Sequence, residues 1–412
     1  MHNLDWFVLI FTLIIIVVYG TWKTRGAKTA NEYIKAGNEA KWWTIGLSVM
    51  ATQASAITFL STPGQAYNDG LGFVQFYFGL PIAIVLVCTI FIPVYHKLKV
   101  YTAYEFLESR FDLKTRSLTA LLFLIQRSLS ASITIFAPAI ILSTVLGWDL
   151  ITTNIIIGTL VIIYTVTGGT KAVNFTQKYQ MGIILIGLVI VLFTIFNLLP
   201  DDIDFNNAVK IASANSKMDV LNFSFDLDNR YTVWSGIIGG TFLMMSYFGT
   251  DQSQVQRYLS GKSLKEMQLG MIFNGIFKIP MQFFILFIGV MVFVFYQFNP
   301  SPLNFNPQGK IIISNTNYEN EYIQLEENLE NNFKEKTYIL NEVLSQDKMV
   351  VKGKIDKLNF EEKKIRDRAK LLIEKAAKEK NEKVETNDKD YVFINFILDN
   401  LPKGLIGLLL AV

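Results

Sequence analysis

The sequence predicts an all-α polytopic membrane protein, and three observations support this fold class. Apolar residues make up 51% of the 412-residue chain, and the mean hydropathy is +0.33. Apolar runs of about 20 residues, long enough to cross a bilayer, recur along the chain. Lys, Arg, Asp and Glu are almost excluded from these runs. With one cysteine, Cys88, and only two histidines, the chain cannot form an intramolecular disulfide, and a cysteine-rich or histidine metal centre is not expected.

Residues 1–298 are expected to form a transmembrane core of eight helices. The first run, about 5–22, has no basic residues before it and no small-residue cleavage site after it, so it reads as a retained helix and not as a signal peptide. The other spans are expected at about 42–62, 71–95, 118–146, 151–167, 176–199, 233–250 and 268–298. Residues 401–412 are expected to begin a ninth transmembrane helix that is truncated in this chain, because eight apolar residues are too few to span a bilayer.

Loop charge predicts the orientation of these helices. Loops 23–41 and 96–117 each carry five Lys or Arg residues, whereas loops 63–70 and 147–150 carry none. By the positive-inside rule the first two loops are cytoplasmic, which places the amino terminus and residues 299–400 outside the cytoplasm.

Residues 299–400 are predicted to be a charged helical insertion. They hold 36 of the 73 charged residues of the chain, 17 basic and 19 acidic. Apolar residues recur at helical spacing, which predicts two amphipathic helices at about 318–346 and 356–382. The balanced charge gives no reason to expect nucleic acid as a partner.

The second span is unusually polar in its middle. Small or hydroxylated residues share one helical face, namely Ala51, Ala54, Ser55, Thr58 and Thr62. Such a face permits close approach of a neighbouring helix, or a local unwinding that frees carbonyl oxygens for a hard cation such as sodium. Ordinary helix packing is the alternative explanation.

Two charged side chains lie deep in the predicted spans, Arg127 and Lys278. An unpaired charge in lipid costs at least about 2.5 kcal/mol, so each is expected to face the protein interior, a water-filled cavity or an anion. The alternative is a structural contact with backbone carbonyls, or snorkelling if the span boundaries shift by a turn. Phe76, Tyr77 and Tyr247 are further candidates, although aromatic residues in spans are commonly core or interface anchors.

Four stretches resemble the sodium:solute symporter family, whose members transport sugars, iodide, monocarboxylates, proline and sialic acid. They are SVMATQASAITF (48–59), YTAYEFLESRF (101–111), TVTGGTKAVNFTQ (165–177) and YFGTDQSQVQRYLSGKS (247–263). Together with the helix spacing they place nearly all of residues 1–298 in the family. The stretch 91–111 is most similar to the branch that contains iodide and monocarboxylate carriers.

This resemblance implies a five-plus-five inverted-repeat transporter core with one extra amino-terminal helix, the second repeat being incomplete in this chain. It also implies a sodium ion held by the backbone carbonyls of Ala51 and Ala54, with further ligands on serines beyond Val412. Positions that match substrate-contacting residues of the family are Gln53, Ser55, Thr58, Phe73, Tyr77 and Lys278. Tyr247 matches the inner-gate tyrosine, and Phe76 lies near the outer gate.

Two of these positions bear on the substrate. Tyr77 stands where similar sugar carriers have a carboxylate or amide, which argues against a sugar. Arg127 lies close to the position of the carboxylate-binding arginine of sialic acid carriers, and its guanidinium offers paired donors to a carboxylate.

The sequence therefore predicts a sodium-coupled symporter of the plasma (inner) membrane that imports a small organic anion by alternating access, and not an enzyme. Sodium is the expected cofactor, and a small-molecule substrate and the lipid bilayer are the expected partners. The sequence does not specify an oligomeric state. The alternatives are a solute sensor or receptor on a transporter-like core, a sodium-coupled sugar or inorganic-anion carrier, and a passive channel. A phosphate loop of the G-x-x-x-x-G-K type and an H-E-x-x-H motif are both absent from the sequence, so an ATP-driven pump or an intramembrane hydrolase has little support.

Overall fold

The computed structural model describes residues 1–23, 29, 36–54, 57–226, 228–343, 348–382 and 384–411. Within these ranges the chain is helical, apart from turns, irregular segments and an isolated bridge between Ala40 and Gly261. The predicted all-α class is therefore confirmed.

Seventeen α-helices are used in the description below. The first nine are α1 (Asn3–Lys23), α2 (Trp42–Gln53), α3 (Thr62–Asp69), α4 (Leu80–Leu86), α5 (Ile92–Leu98), α6 (Ala103–Arg110), α7 (Leu113–Leu146), α8 (Leu150–Leu198) and α9 (Phe205–Ala214). The remaining eight are α10 (Gly240–Gly249), α11 (Gln252–Leu259), α12 (Leu264–Phe298), α13 (Pro307–Ile313), α14 (Glu319–Val343), α15 (Lys348–Glu379), α16 (Lys389–Asn400) and α17 (Leu405–Ala411). Shorter segments link some of them, namely the π-helical turns Ile57–Ser61, Val87–Phe91 and Ser235–Gly239 and the 3₁₀ segment Gly70–Tyr77.

Among the residues that the structure describes, four helical stretches are long and apolar enough to cross a membrane. They are Ile57–Leu98, Leu113–Ile140, Ala172–Leu198 and Leu264–Phe298, and the helices Asn3–Tyr19 and Leu150–Ile163 are apolar but shorter. The separate spans expected at 151–167 and 176–199 both lie in α8, which consists of two helical parts joined at a kink. Its direction changes at Gly169, whose φ of 57° and ψ of −162° lie outside the helical region. Glycine adopts this conformation because it has no side chain.

Helix α12 is the centre of the packing. Helix α2, which lies in the first half of the predicted second span (42–62), and α3, which begins where that span ends, both pack against it. A Cβ atom on Gly289 of α12 would lie 2.1 Å from the carbonyl oxygen of Pro63 at the start of α3, so the two backbones are in direct contact. From Ile285 to Gln297 the helix is buried on all sides, because α3, α9, α14 and α16 cover it.

The charged segment forms a hairpin of α14 and α15 with an apolar core of its own, which includes Leu329, Ala369, Leu372 and Ile373. The predicted insertion extends to residue 400, but its last helix, α16, differs from the rest. Its apolar side chains are buried against α3 and the π-helical turn before it, with the rings of Phe59 and Phe393 5.6 Å apart. The run is too short to span a membrane, and packing against the core is what buries it.

Candidate functional site

The second predicted span is broken near its middle. Helix α2 ends at Gln53, and Ala54 has non-helical angles (φ −86°, ψ 77°) before helical structure resumes at Ile57. Ser55, a predicted substrate contact, lies outside the described residues. Thr58 Oγ1 donates a hydrogen bond across the break to the carbonyl oxygen of Gln53 at 3.1 Å. Non-helical backbone at membrane depth is tolerated where it is buried in protein or lines a cavity, so the break is a natural ligand site.

The two carbonyl groups predicted to bind sodium lie at the end of α2, where the break begins. The carbonyl oxygen of Ala51 accepts the backbone N–H of Ala54 at 3.1 Å. A carbonyl oxygen has two lone pairs, so this bond leaves one lone pair for a cation. In the part of the chain that the structure describes, no group of three or more His, Cys, Asp or Glu side chains could hold a metal ion. Carbonyl and hydroxyl oxygens at the break are therefore the donors suited to a hard monovalent ion.

A buried polar stripe on α12 lies against the break, and we define it as Asn274, Lys278 and Gln282. These residues are spaced by four, which places them on one face of the helix, and their exposed fractions are 0%, 1% and 0%. The side-chain amide of Gln53 donates to Asn274 Oδ1 at 3.4 Å, which joins the stripe to the end of α2.

Four polar atoms of this stripe have no hydrogen-bond partner among the described residues. They are Asn274 Nδ2, Lys278 Nζ, Gln282 Nε2 and Gln282 Oε1. A buried polar group without a partner costs free energy, and the cost is larger for a charge. The stripe therefore offers donors and an acceptor that a bound solute would satisfy.

An aromatic group adjoins the stripe. The ring of Phe73 lies 5.7 Å from that of Phe76, 6.0 Å from that of Tyr77 and 5.3 Å from that of Tyr231. Lys278 Nζ lies 5.8 Å from the ring centroid of Tyr77, within the range of a cation–π interaction. The structure thus brings the predicted residues Phe73, Phe76 and Tyr77 together beside the ammonium group.

Tyr247 and Arg127 have different surroundings. The hydroxyl of Tyr247 accepts a hydrogen bond from Gln254 Nε2 at 2.7 Å. Arg127 lies on α7, with its side chain 38% exposed and its guanidinium 3.6 Å from the carboxylate of Asp251. The structure therefore gives Arg127 a carboxylate partner within the chain, and its contacts do not join it to the polar stripe.

Sequence reasoning missed Asn274 and Gln282. A charged residue stands out in an apolar span, but these two amide side chains carry no charge. A signal was nevertheless present, because two amides and a lysine recur at intervals of four residues in an otherwise apolar span.

Comparisons with known proteins agree on one class of relatives. The model of the sodium:solute symporter family matches residues 33–336. The human sodium/iodide cotransporter is 31% identical over 297 residues, which are 71% of this chain and 45% of that protein. The sodium/sialic acid symporter SiaT of Proteus mirabilis (strain HI4320) is 31% identical over 309 residues, which are 74% of this chain and 62% of that protein.

A solved structure shares the fold. It is the substrate-bound, outward-open state of a Na⁺-coupled sialic acid symporter, described as revealing a novel Na⁺ site. The TM-score is 0.65 at 25% sequence identity, and the match covers 100% of this chain and 82% of that chain. The present chain spans about half the length of the mammalian curated relatives, 45% in the case of the iodide cotransporter.

Proposed function

Because this chain belongs to the sodium:solute symporter family, we propose that the protein containing it imports a small organic anion together with sodium. The family match and the structural neighbour confirm the predicted inverted-repeat fold class and a transport function rather than an enzymatic one. What remains a proposal is the solute, the residues that bind it and the orientation in the membrane.

One observation carries the anion proposal, namely the environment of Lys278. Its ammonium group is 1% exposed and has no hydrogen-bond or ion-pair partner among the described residues. A buried cation is strongly stabilised by a nearby negative charge, and a carboxylate on the solute would supply that charge. We assign this task to Lys278 and not to Arg127, because Asp251 already neutralises Arg127.

The neighbouring groups fit a small carboxylate with an apolar body. The amides of Asn274 and Gln282 lie one turn from Lys278 on either side and offer further hydrogen bonds. The rings of Phe73, Phe76 and Tyr77 offer apolar and aromatic surface. Among the relatives are proteins named as monocarboxylate and sialic acid carriers, whose solutes have this character.

Sodium binding and solute binding are coupled because both depend on the shape of the chain at the break after Gln53. Sodium bound by the carbonyl oxygens of Ala51 and Ala54 would fix the shape of the chain beside Gln53, which also contacts the polar stripe through Asn274. Two ligands that favour the same conformation raise each other's affinity by the same factor. An inward sodium gradient would then drive uptake as the helices rock around the midplane site.

The test is uptake of radiolabelled short monocarboxylates, sialic acid and iodide by the full-length protein in proteoliposomes. We expect uptake of one carboxylate to require an inward sodium gradient and to collapse when potassium replaces sodium. Lys278→Met should lower the apparent affinity for that solute by at least about tenfold, a loss near 1.4 kcal/mol. Arg127→Ala and the exposed-loop control Lys262→Met should change it by less than about twofold.

Other outcomes contradict parts of this proposal. Equal uptake in sodium and potassium overturns symport. Transport of iodide alone would contradict the proposal that the substrate is organic, but it would agree with the proposal that the substrate is an anion. Unchanged affinity in Lys278→Met with a large loss in Arg127→Ala transfers the anion contact to Arg127.

A further inference from the structure

A cavity lies away from the helix break, between α5, α6 and α7. Its volume is about 250 Å³. The lining comes mainly from the chain between the π-helical turn Val87–Phe91 and α6, together with Thr119 of α7 and Thr250, and includes Ile90, Val94, Phe106 and Leu107. Typical small-molecule sites have volumes of roughly 300–1,000 Å³, and this cavity is smaller. It therefore suits part of a hydrocarbon chain better than a compact solute.

The interior of this cavity is suited to hydrocarbon. Its two tyrosine hydroxyls are used by the protein: Tyr95 donates to the carbonyl of Gly249 at 2.8 Å, and Tyr104 donates to the carbonyl of Thr250 at 3.3 Å. The hydroxyl of Thr119 donates within its own helix to the carbonyl of Thr115 at 2.9 Å. The remaining lining is overwhelmingly carbon, so a polar ligand would lose its hydration without gaining partners.

The helices that border the cavity are exposed and apolar on their outer faces. Ile90 lines the cavity and is 52% exposed, and on α7 Leu118 and Leu122 are 59% and 57% exposed. These residues belong to two of the stretches that can cross a membrane, Ile57–Leu98 and Leu113–Ile140. The cavity is therefore accessible from the side of the protein that faces acyl chains.

Basic residues follow the lining on each helix toward the loop. Lys97 comes three residues after Val94, and Arg110 four residues after Phe106, which places each one turn from the cavity. Lys114 lies in the first turn of α7, the helix that carries Thr119. Lys97, Arg110 and Lys114 are exposed and form no ion pair among the described residues.

The acidic residues nearby are already engaged. Arg116 pairs with Glu105 at 3.5 Å and also with Glu108. Asp112 accepts the backbone N–H of Thr115 at 2.7 Å and caps α7. Between the free basic residues lies Phe111, which is 68% exposed. Exposed basic and aromatic side chains side by side are typical of a surface at the lipid headgroups.

We propose that this cavity binds one acyl chain of an anionic phospholipid, whose phosphate is held by Lys97, Arg110 and Lys114. The apolar interior takes the chain, and the charges select the headgroup. An anionic lipid is favoured over a zwitterionic one because it adds net charge opposite to the three free cations.

The experiment compares phosphatidylglycerol with phosphatidylcholine of identical acyl chains, added to the full-length protein in detergent. We expect phosphatidylglycerol, at about 100 times its dissociation constant, to raise the thermal unfolding midpoint by roughly 2–3 °C, and phosphatidylcholine to raise it much less. Thr119→Trp fills the cavity and should abolish the shift. Leu122→Trp, on the exposed face of the same helix, is the matched control and should keep it.

A charge variant and a second readout make the test independent of the cavity variant. Lys97→Gln, Arg110→Gln and Lys114→Gln combined should reduce the effect of phosphatidylglycerol to that of phosphatidylcholine. The matched control replaces three exposed lysines of the hairpin by glutamine, namely Lys354, Lys375 and Lys378. This control variant should keep the full effect of phosphatidylglycerol. Native mass spectrometry should find one phosphatidylglycerol retained per wild-type chain and none on the charge variant. Equal effects of the two lipids, an undiminished shift in Thr119→Trp, or unchanged retention by the charge variant would overturn the proposal.

Discussion

Gln282 shows how one residue of the site can be distinguished from an ordinary core residue. Both polar atoms of its amide are buried without a partner among the described residues, although the helix around it is apolar. A side chain selected only for packing would be apolar here, because an unsatisfied buried amide costs about 1–3 kcal/mol. Stability and function are therefore expected to oppose each other at this position.

We expect Gln282→Leu to stabilise the protein while weakening solute binding. Thermal unfolding of the full-length protein should occur at a higher temperature, and the apparent affinity in the uptake assay should fall about tenfold. Gln297→Leu is the control for affinity, because Gln297 is buried on the same helix about four turns from Gln282. Its amide nitrogen donates to the carbonyl of Phe293, and its Oε1, like that of Gln282, has no partner among the described residues. That variant should leave affinity unchanged. A destabilised Gln282→Leu protein with normal affinity would mean that the amide is structural.

Some residues of the candidate site could be predicted from the sequence, and others could not. Lys278 was predicted because a lone charge is conspicuous in an apolar span, and Gln53 and Thr58 because they interrupt an otherwise apolar run in the second span. The partner of Arg127 could not be found, since Asp251 is distant in sequence and only the fold brings α7 to the start of α11. Amides such as Asn274 have no charge to mark them, so burial was needed to reveal their importance.

Among the elements, the helix break and α16 are connected. The chain leaves the break through the turn Ile57–Ser61 into α3, and α16 packs along both. Gly64 of α3 lies so close to α16 that an added Cβ atom would be 1.8 Å from the carbonyl oxygen of Lys389. Lys389 also pairs with Asp69 at the end of α3, at 3.0 Å. Helix α16 therefore fixes the part of the broken helix that follows the break.

Substituting Gly64 tests this contact between elements. In an isolated helix Gly→Ala is stabilising by up to about 1 kcal/mol, but overpacking against a backbone typically costs about 1–3 kcal/mol. We expect the clash to dominate, so Gly64→Ala should lower the thermal unfolding midpoint. Gly158→Ala in α8, where a Cβ atom would meet nothing within 4 Å, should leave the midpoint unchanged or raise it. Equal stability of the two variants would show that α16 is loosely attached.

The elements also show where sequence patterns are insufficient. Apolar runs predicted the long helices, because length and hydropathy are local properties. Helix α16 was assigned to the charged insertion, since its apolar run is too short to span a membrane and lies beside dense charge. Whether such a run is buried depends on a groove between α3 and its neighbours, which only the tertiary structure supplies.

For the whole molecule, a buried ion cluster attaches the hairpin to the transmembrane core. Glu362 on α15 pairs with Lys336 of α14 at 3.2 Å and with Arg366 at 2.9 Å. Arg366 also donates to the carbonyls of Pro302 and Leu303, in the segment that follows α12. Arg366 thus links the hairpin to the segment that follows α12. Two further hydrogen bonds reach the core directly, from Thr337 Oγ1 to the carbonyl oxygen of Gln297 at 3.0 Å and from Asn359 Nδ2 to Asn215 Oδ1 at 2.8 Å.

The ionisation of Glu362 links this attachment to pH. Burial acts to raise the pKa of this carboxyl group, but Lys336 and Arg366 outweigh it and lower the pKa to about 2, from 4.5 in the unfolded chain. A carboxyl group whose pKa is depressed by folding contributes stability that is complete above its unfolded value. That contribution is lost as the pH falls from about 4.5 toward 2.

Substitution of Glu362 therefore gives the last prediction. Glu362→Gln leaves two buried cations without a counter-charge, and loss of one member of a buried ion pair costs roughly 3–5 kcal/mol. The adjacent Glu361 provides a matched control, because its side chain is 46% exposed and lies 3.9 Å from Lys357, a surface pair whose loss costs at most about 1 kcal/mol. Hydrogen exchange of the hairpin amides at pH 7 should rise sharply in Glu362→Gln and little in Glu361→Gln. On lowering the pH from 4.5 to 2, wild-type protein and Glu361→Gln should lose protection, whereas Glu362→Gln should change less because it has no carboxyl group to titrate. Protection in Glu362→Gln equal to that of wild type at pH 7 would show that other contacts hold the hairpin to the core.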